Sequence, residues 1–254
     1  MSFELFNLKG KVALVTGSSK GLGEASALAL AKVGADVAIC GRQPADIDRV
    51  VEIAKSIGSN AAGFIFDVTS KEKVRAGVDA VIKHFGRVDI LFNNAGTNYR
   101  VPVLEYPEEE WDRIINTNLK SYYLVAQAVV PQMISRGYGK VINMSSILGR
   151  IGIQNQLAYA SAKGGVEQMT KIMAIEWAKQ GVRVNAIAPT YFETEMVSQI
   201  RKEPARFKFI NERTPMGRWG HLEEIEGIVI FLASPASDFI TGQSIAIDGG
   251  WTAC

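Results

Sequence analysis

Cysteine and histidine are scarce in this chain of 254 residues, which contains two of each. Cys40 lies in an apolar run and Cys254 ends the sequence, so the pattern supports neither a disulfide framework nor a thiolate metal site. We expect both cysteines to remain free thiols. His84 and His221 lack the spacing of metal ligands and are expected at the surface or at helix ends. The sequence therefore gives no support for a metal centre.

Long runs of one kind of residue are also missing. The 28 lysines and arginines and the 26 aspartates and glutamates are interspersed and leave a net charge of +2. No basic tract is thus available for nucleic acid or an anionic membrane. No segment reaches the length needed to span a bilayer, and the N-terminal residues contain an acid and no long apolar core. We therefore expect a cytoplasmic protein whose partner is a small diffusing molecule rather than nucleic acid or a membrane.

What the sequence does contain is an alternation of short apolar runs and longer segments of helical periodicity. The predicted strands are 11–16, 36–40, 61–66, 88–93, 140–144, 183–188 and 244–248. The predicted helices are 22–33, 44–57, 71–85, 107–136, 158–180 and 222–232. Alternation of this kind is typical of βαβ units. It predicts a single α/β domain over 1–254, a Rossmann-type doubly wound parallel sheet of about seven strands with helices on both faces.

Residues 190–221 fit neither pattern and are rich in charge and aromatics. Ligands of doubly wound sheets bind beyond the carboxyl ends of the strands, and this segment follows the sixth predicted strand. We therefore expect it to form a substrate-binding lid.

A glycine-rich turn follows the first predicted strand and leads directly into a helix. Glycines allow a tight turn and a close approach to a pyrophosphate, and the helix N-terminus offers unpaired N–H groups. The first gap between glycines falls differently from the commoner dinucleotide fingerprint, and a plain glycine-rich turn is the alternative. The predicted cofactor-binding residues of this turn are Gly17, Ser19, Lys20, Gly21, Leu22 and Gly23.

The end of the second predicted strand bears on which nicotinamide cofactor binds. A carboxylate at this place would bind the ribose 2′-hydroxyl of NAD, whereas a cation would accommodate the 2′-phosphate of NADP. The chain has Arg42 beside this place and no acid, and Lys20 adds a second positive charge. The pattern favours NADP(H), with NAD(H) possible; a solvated surface role for Arg42 is the alternative.

Tyr159 and Lys163 are four residues apart in Tyr-Ala-Ser-Ala-Lys, and Ser146 lies shortly upstream. On a helix this spacing places the phenol and the amine on one face. An ammonium beside a phenol favours the phenolate and so lowers the pKa of the tyrosine, which suits a general acid working near neutral pH. The alternative for such a pair is a half-buried ring beside a solvated amine.

Together these residues resemble one family, the short-chain dehydrogenase/reductases, in order and spacing along nearly the whole chain. The matching positions are 16–23, Asp67 and Val68, 93–96, Asn118, Ser146, Tyr159, Lys163, Pro189 and 248–250. In that family the tyrosine is the general acid or base, and the lysine lowers its pKa and binds the nicotinamide ribose. The serine steadies the substrate oxygen, and an asparagine holds a water that links the lysine to solvent. The resemblance therefore implies the catalytic set Ser146, Tyr159, Lys163 and Asn118, with Ser145 as the competing serine.

The resemblance also implies cofactor contacts and an assembly. Asp67 and Val68 resemble the adenine contacts, and Asn94 follows the fourth strand, where the adenosine ribose lies in the family. The predicted cofactor-binding residues outside the glycine turn are Arg42, Asp67, Val68, Asn94, Ala95, Gly96, Tyr159, Lys163, Pro189, Phe192 and Thr194. The family usually has glycine after the proline, whereas this chain has Thr190, which can follow the same path only where φ is negative. A homotetramer built partly through 107–136 and 158–180 is the family's expectation.

Three stretches outside the shared core, 98–102, 191–196 and 213–220, resemble the gluconate 5-dehydrogenase and 2-deoxygluconate dehydrogenase group. The resemblance implies a sugar-acid substrate, reduced or oxidised at a carbonyl or secondary alcohol. Arginine is the best bidentate partner for a carboxylate, so Arg100 and Arg150 are predicted to bind substrate together with Ser146 and Tyr159; a surface or interface role is the alternative for either arginine. The alternatives are a 3-oxoacyl-carrier-protein reductase, a general ketone reductase, and a catalytically silent nucleotide-sensing protein.

Overall fold

The computed structural model describes residues 3–253, without the side chains of residues 3, 196 and 199. Cys254, expected as a free thiol, lies outside the described residues, whereas Cys40 is buried and unbridged. The strands are β1 Val12–Thr16, β2 Asp36–Gly41, β3 Ala61–Ile65, β4 Ile90–Asn93, β5 Gly139–Met144, β6 Val182–Pro189 and β7 Ser244–Ile247. The α-helices are α1 Gly21–Lys32, α2 Pro44–Ser56, α3 Lys71–Phe85, α4 Glu108–Ile115, α5 Ser121–Ser135, α6 Leu157–Trp177, α7 Pro204–Arg213 and α8 Glu226–Ala233.

The strands within residues 3–253 form one parallel sheet of seven in the order β3-β2-β1-β4-β5-β6-β7. Successive side chains of a strand point to opposite faces, so a strand covered on both sides must be apolar throughout. In β1, Ala13 and Val15 join one buried cluster with Leu30 of α1, while Leu14 joins another with Val78 of α3. The predicted doubly wound sheet is confirmed.

The helices divide between the two faces of this sheet. Helices α1, α2 and α8 contribute Leu30, Val50 and Val229 to one buried cluster. Helices α3, α5 and α6 contribute to the other, which contains Val129 and Met173. The sheet is therefore the middle of three layers, and its carboxyl edge is left for ligands.

The long helix predicted over 107–136 is interrupted. Between α4 and α5, residues Asn116–Lys120 form a π-helical turn in which the Ser121 N–H donates to the Asn116 carbonyl five residues earlier. Asparagine and threonine are weak helix formers, and the Asn118 side chain is bonded outside the helix, to Thr97. The predicted helix 158–180 likewise ends as α at Trp177 and continues as a 3₁₀ turn.

Residues 190–221, left without a secondary-structure assignment from the sequence, contain a 3₁₀ helix Glu195–Lys202 and α7. They build a third apolar cluster in which Ile200 and Ile210 pack with Trp219 and with Trp251 near the C-terminus. This cluster also includes Tyr159 as a partly buried member. The segment is thus tied to the carboxyl edge of the sheet through the residue predicted to be catalytic.

Candidate active site

A cavity of about 510 Å³ opens at the carboxyl edge of the sheet. It spans the point where β1 and β4 are neighbours, from which the chain leaves toward opposite faces, the usual ligand site of such sheets. The predicted residues that line it are Gly17, Ser19, Lys20, Gly21, Leu22, Gly23, Arg42, Asp67, Val68, Asn94, Ala95, Gly96, Arg100, Ser146, Tyr159, Lys163, Pro189, Phe192 and Thr194. Two predicted residues, Asn118 and Arg150, do not line it.

The glycine turn has the geometry of a phosphate cradle. Gly17 and Gly21 have φ of 63° and 60°, in the left-handed region that favours glycine. A Cβ on Gly23 would lie 2.3 Å from the Gly17 carbonyl oxygen, so a side chain there would push the turn open. Lys20 is the N-cap residue of α1, and its side chain makes no hydrogen bond to the helix N-terminus, so the first N–H groups remain available to an anion. The turn therefore fits a dinucleotide pyrophosphate.

Asn94 holds this turn from the side. Its Nδ2 donates to the carbonyls of Thr16 and Gly17, both at 3.0 Å, and its N–H donates to the Thr16 hydroxyl. The side chain is thus committed to the backbone of the turn rather than extended toward a ribose.

At the far end of the cavity, Arg42 and Asp67 lie near one another. The N–H and the hydroxyl of Thr69 donate to Asp67 Oδ1 at 2.9 and 2.7 Å. These hydrogen bonds lower the pKa of Asp67, and the charge of Arg42 contributes in the same direction. Lys20, the second predicted cation, forms an ion pair with Glu195 at 2.9 Å.

Ser146, rather than Ser145, is the serine beside Tyr159. The Ser146 hydroxyl is close enough to the Tyr159 phenol to lower its pKa by hydrogen bonding, accepts the Leu148 N–H at 3.2 Å and lies 3.5 Å from the Pro189 carbonyl oxygen. The Ser145 hydroxyl is instead engaged with the Glu167 carboxylate. The Ser146–Tyr159 pair therefore forms one hydrogen-bonding unit at the cavity wall.

The direction predicted for the pKa of Tyr159 is wrong. Burial raises this pKa, and the Ser146 hydrogen bond and the charge of Arg100 only partly offset the effect. Lys163 is also buried, which lowers its own pKa to about 7. Its Nζ donates to the Met144 carbonyl at 2.5 Å and to the Tyr122 hydroxyl at 3.2 Å. Sequence spacing places the amine beside the phenol but does not reveal that the amine is fully buried and the phenol partly buried.

Asn118 fixes the loop that follows β4. Its Oδ1 accepts the Thr97 N–H at 2.8 Å, and its Nδ2 donates to the Thr97 carbonyl at 2.7 Å. Both polar groups of the side chain are thus used, and the residue is fully buried.

The two predicted carboxylate ligands lie in different places. Arg100 lines the cavity near Tyr159, and its buried Nε has no hydrogen-bond partner within the described residues. Arg150 does not reach the cavity, contrary to the prediction. Its Nε lies 3.7 Å from Glu167 Oε2, and its guanidinium donates to the Ser244 carbonyl, outside the cavity. The position of a residue just after a strand that ends at the cavity does not determine whether a long side chain points into the cavity.

Several cavity residues were not predicted as site residues. Asn98 donates from Nδ2 to Gln156 Oε1 at 3.0 Å, and this pair lines the cavity with Tyr191. Asn98 and Tyr191 lie in stretches already noted for their resemblance, whereas Gln156 shows no signal beyond its position three residues before Tyr159. Thr190 follows Pro189 without positive φ, as required for a residue in place of glycine, and its N–H extends the pairing to Ile247.

Comparison with known proteins adds to this geometry. The family model described as enoyl-(acyl carrier protein) reductase matches residues 17–252. Gluconate 5-dehydrogenase of Gluconobacter oxydans (strain 621H) is 39% identical over 249 residues, 98% of this chain and 97% of that protein. The 3-oxoacyl-[acyl-carrier-protein] reductase of Thermotoga maritima is 40% identical over 243 residues, 96% of this chain and 98% of that protein.

Among solved structures, a gluconate 5-dehydrogenase from Burkholderia cenocepacia J2315, in complex with NADP and tartrate, superposes with a TM-score of 0.96. It is 39% identical, and the match covers 99% of this chain and 98% of that one. The similarity is thus continuous along the chain rather than confined to the glycine turn.

Proposed function

The chain belongs to the short-chain dehydrogenase/reductase family, and on this premise we propose that it transfers hydride between NADP(H) and a carbonyl or secondary alcohol of a sugar acid. The observation that carries the substrate class is Arg100, which lines the same cavity as Ser146 and Tyr159. Arginine at this place suits a substrate carboxylate. The similarity to gluconate 5-dehydrogenases supports the same substrate class.

The residues of the cavity fit the cofactor. The glycine turn and the N-terminus of α1 would hold the pyrophosphate, and Arg42 and Lys20 supply positive charge for a 2′-phosphate. Lys163 and Tyr159 stand where the nicotinamide end would lie, beyond Gly96 and Pro189. The nicotinamide, when bound, supplies or accepts the hydride. Two NADP-bound neighbours of known structure support the phosphorylated cofactor.

Tyr159 moves the proton. Its raised pKa keeps the phenol protonated at neutral pH, so it can donate to the carbonyl oxygen in reduction and must lose its proton before it accepts one in oxidation. Once substrate is bound, the Ser146 hydroxyl would turn from the phenol and donate to the same substrate oxygen. Lys163, with a pKa of about 7, can take up or release a proton near neutral pH.

The substrate would lie between Tyr159 and residues 190–221, which we assign as the lid. Tyr191 and Val197 of this segment line the cavity and belong to the third apolar cluster. Arg100 is largely withdrawn from water, so its guanidinium gains more from a carboxylate than an exposed arginine would. Asn98 and Gln156 supply polar groups for the hydroxyls of a sugar chain.

A kinetic comparison tests this function. The protein is assayed with 5-ketogluconate, an uncharged ketone and an acyl thioester, each with NADPH and NADH. We expect 5-ketogluconate with NADPH to give the highest kcat/KM. Arg100→Gln should raise KM for the keto acid by about 10-fold or more, the effect of losing a charged hydrogen bond. Arg150→Gln is the matched control, because that arginine does not line the cavity. A preference for uncharged ketones would refute the sugar-acid substrate.

The acyl thioester in this comparison tests the second candidate, a 3-oxoacyl-carrier-protein reductase, which the Thermotoga maritima relative favours. The highest kcat/KM on the thioester would establish that function instead. Turnover of any of the three substrates would exclude a purely nucleotide-sensing protein.

The assembly proposed is a homotetramer in which α4, α5 and α6 contribute contacts. Tyr123 of α5 and Ile172 and Ile175 of α6 are exposed apolar side chains, which supports burial by another copy. Light scattering after size-exclusion chromatography measures the mass directly, and a monomer would contradict the assembly.

Within residues 3–253, none of the helices combines the length and the apolar character of a membrane span. We propose a cytoplasmic location, which fractionation of the source cell tests.

A further inference from the structure

Two carboxylates line the cavity within the described residues, and each is close to one of the two cations assigned to the 2′-phosphate. Asp67 lines the same part of the cavity as Arg42, whose charge helps to lower the pKa of Asp67, and Glu195 Oε2 lies 2.9 Å from Lys20 Nζ. The hydrogen bonds of Asp67 to Thr69 fix that carboxylate to its own turn. Glu195 has no such partner among the contacts found in residues 3–253 other than Lys20.

The Lys20–Glu195 pair connects the two walls of the cavity. Lys20 belongs to the glycine turn, and Glu195 begins the 3₁₀ helix of the lid. The walls also approach each other beside this pair, since a Cβ built on Gly21 would lie 3.6 Å from Thr194. Both charged side chains are well exposed, at 67% and 76% of their surface, so the pair is held weakly and can exchange partners.

A 2′-phosphate carries about two negative charges near pH 7 and would compete with Glu195 for Lys20. To bind Lys20, the phosphate must break the Lys20–Glu195 ion pair and then lies close to the displaced carboxylate, which repels it. A cofactor with a 2′-hydroxyl neither breaks the pair nor meets this repulsion. We propose that Glu195 is a specificity-determining residue that weakens the preference of this protein for NADP(H) over NAD(H) by pairing with Lys20. This inference rests on the NADP(H) site proposed above.

Direct binding of the two reduced cofactors tests it without any substrate. The dissociation constants of NADPH and NADH are measured by calorimetry for the wild type, Glu195→Gln, Lys20→Gln and the double variant. We expect Glu195→Gln to tighten NADPH by about two- to fivefold, the range of an exposed ion pair, and to leave NADH unchanged. The gain should shrink as salt is raised and should vanish in the Lys20→Gln background.

Glu193→Gln is the matched control, because Glu193 is an exposed acid two residues away that pairs with Arg201 and His221 rather than Lys20. It should change neither constant. Equal tightening of NADPH and NADH by Glu195→Gln, or a gain that persists without Lys20, would overturn the inference while the NADP(H) site stands. A wild type that binds NADH more tightly than NADPH would overturn the proposed cofactor as well.

Discussion

Tyr159 shows how the environment of a residue decides its chemistry. Burial raises the pKa of the phenol, while the Ser146 hydrogen bond and the Arg100 charge lower it. The phenol is therefore the stable form at neutral pH, and the site is set for proton donation. Oxidation must draw on the phenolate, which becomes available only at alkaline pH.

This balance predicts the pH dependence of oxidation. For the alcohol substrate, kcat/KM should rise with pH until it passes the pKa of Tyr159. Because the charge of Arg100 lowers that pKa, Arg100→Gln should move this rise, the alkaline limb of the pH profile, to higher pH. Ser146→Ala should move the limb in the same direction, with a lower rate throughout. Tyr159→Phe should abolish the rise of kcat/KM with pH and lower the rate by about 10²–10⁴-fold.

Measurement of kcat/KM from neutral to alkaline pH for the three variants checks this sign. Arg150→Gln again serves as the control that leaves the limb in place, because its charge lies outside the cavity. A limb that moves to lower pH in Arg100→Gln would contradict the electrostatic role of that arginine.

The chemistry-bearing residues were largely predictable one by one. The spacing of Tyr159 and Lys163 indicates one helix face, and α6 carries both to the cavity. What the spacing could not supply is burial, which reverses the predicted direction for Tyr159 and lowers the pKa of Lys163. The orientation of Arg150 toward Glu167 depends on a residue of α6 that is distant in sequence. Properties that arise from several elements together escape a local pattern.

At the scale of an element, the glycine turn has no room for a side chain at Gly23. A Cβ on Gly23 would lie 2.3 Å from both the Gly17 carbonyl oxygen and the Asn94 amide. Gly23→Ala should therefore displace the turn and weaken NADPH binding by at least tenfold, since the pyrophosphate depends on its backbone N–H groups. Calorimetric titration with NADPH measures the loss.

Gly227 of α8 offers the matched control for this substitution. Nothing lies within 4 Å of its Cβ position, and its φ is not positive. Gly227→Ala should leave NADPH binding unchanged and stabilise the protein by at most about 0.5–1 kcal/mol, because alanine loses less backbone freedom. A similar loss of NADPH affinity in both variants would show that the close approach at Gly23 is not the cause.

The regular elements follow from sequence because their causes are local. Strands covered on both faces are continuous apolar runs, and each of the seven was predicted to within two residues at either end. The interruption at Asn116–Lys120 depends on the bonds between Asn118 and Thr97, which join parts of the chain 21 residues apart. In 190–221 Phe192 packs with the sheet, but most of the apolar residues pack in the cluster of Trp219 and Trp251, so no strand or long helix period appears.

At the scale of the whole molecule, the carboxyl edge of the sheet forms the cavity, whereas the amino edge contains a buried ion-pair cluster. The cavity and the proposed catalytic residues lie at the carboxyl edge, beyond β1, β4, β5 and β6. At the amino edge, Asp89 precedes β4 and accepts the Val12 N–H at 2.9 Å. Its carboxylate is 3% exposed and forms ion pairs with Arg87 at 2.9 Å and with Arg136 at 2.8 Å. The buried carboxylate thus joins the starts of two central strands to the end of α5.

This separation predicts that stability and cofactor binding can be changed independently. Asp89→Asn removes the charge that both arginines require and should lower the free energy of unfolding by roughly 2–3 kcal/mol. The loss falls short of that of a fully dry pair because Arg87 and Arg136 remain partly in water. Urea denaturation measures it, and the NADPH dissociation constant of the folded variant should match the wild type.

Glu212→Gln is the control at the surface. Glu212 pairs with Lys208 at 3.6 Å with both side chains largely exposed, and such pairs contribute about 0–1 kcal/mol. Its loss should barely change the urea midpoint. If Asp89→Asn weakened NADPH binding as much as it lowered stability, the amino edge would be coupled to the cavity through the central strands. An effect on stability alone means that the sheet transmits little between its edges, so residues at the carboxyl edge can vary with substrate while the fold is kept.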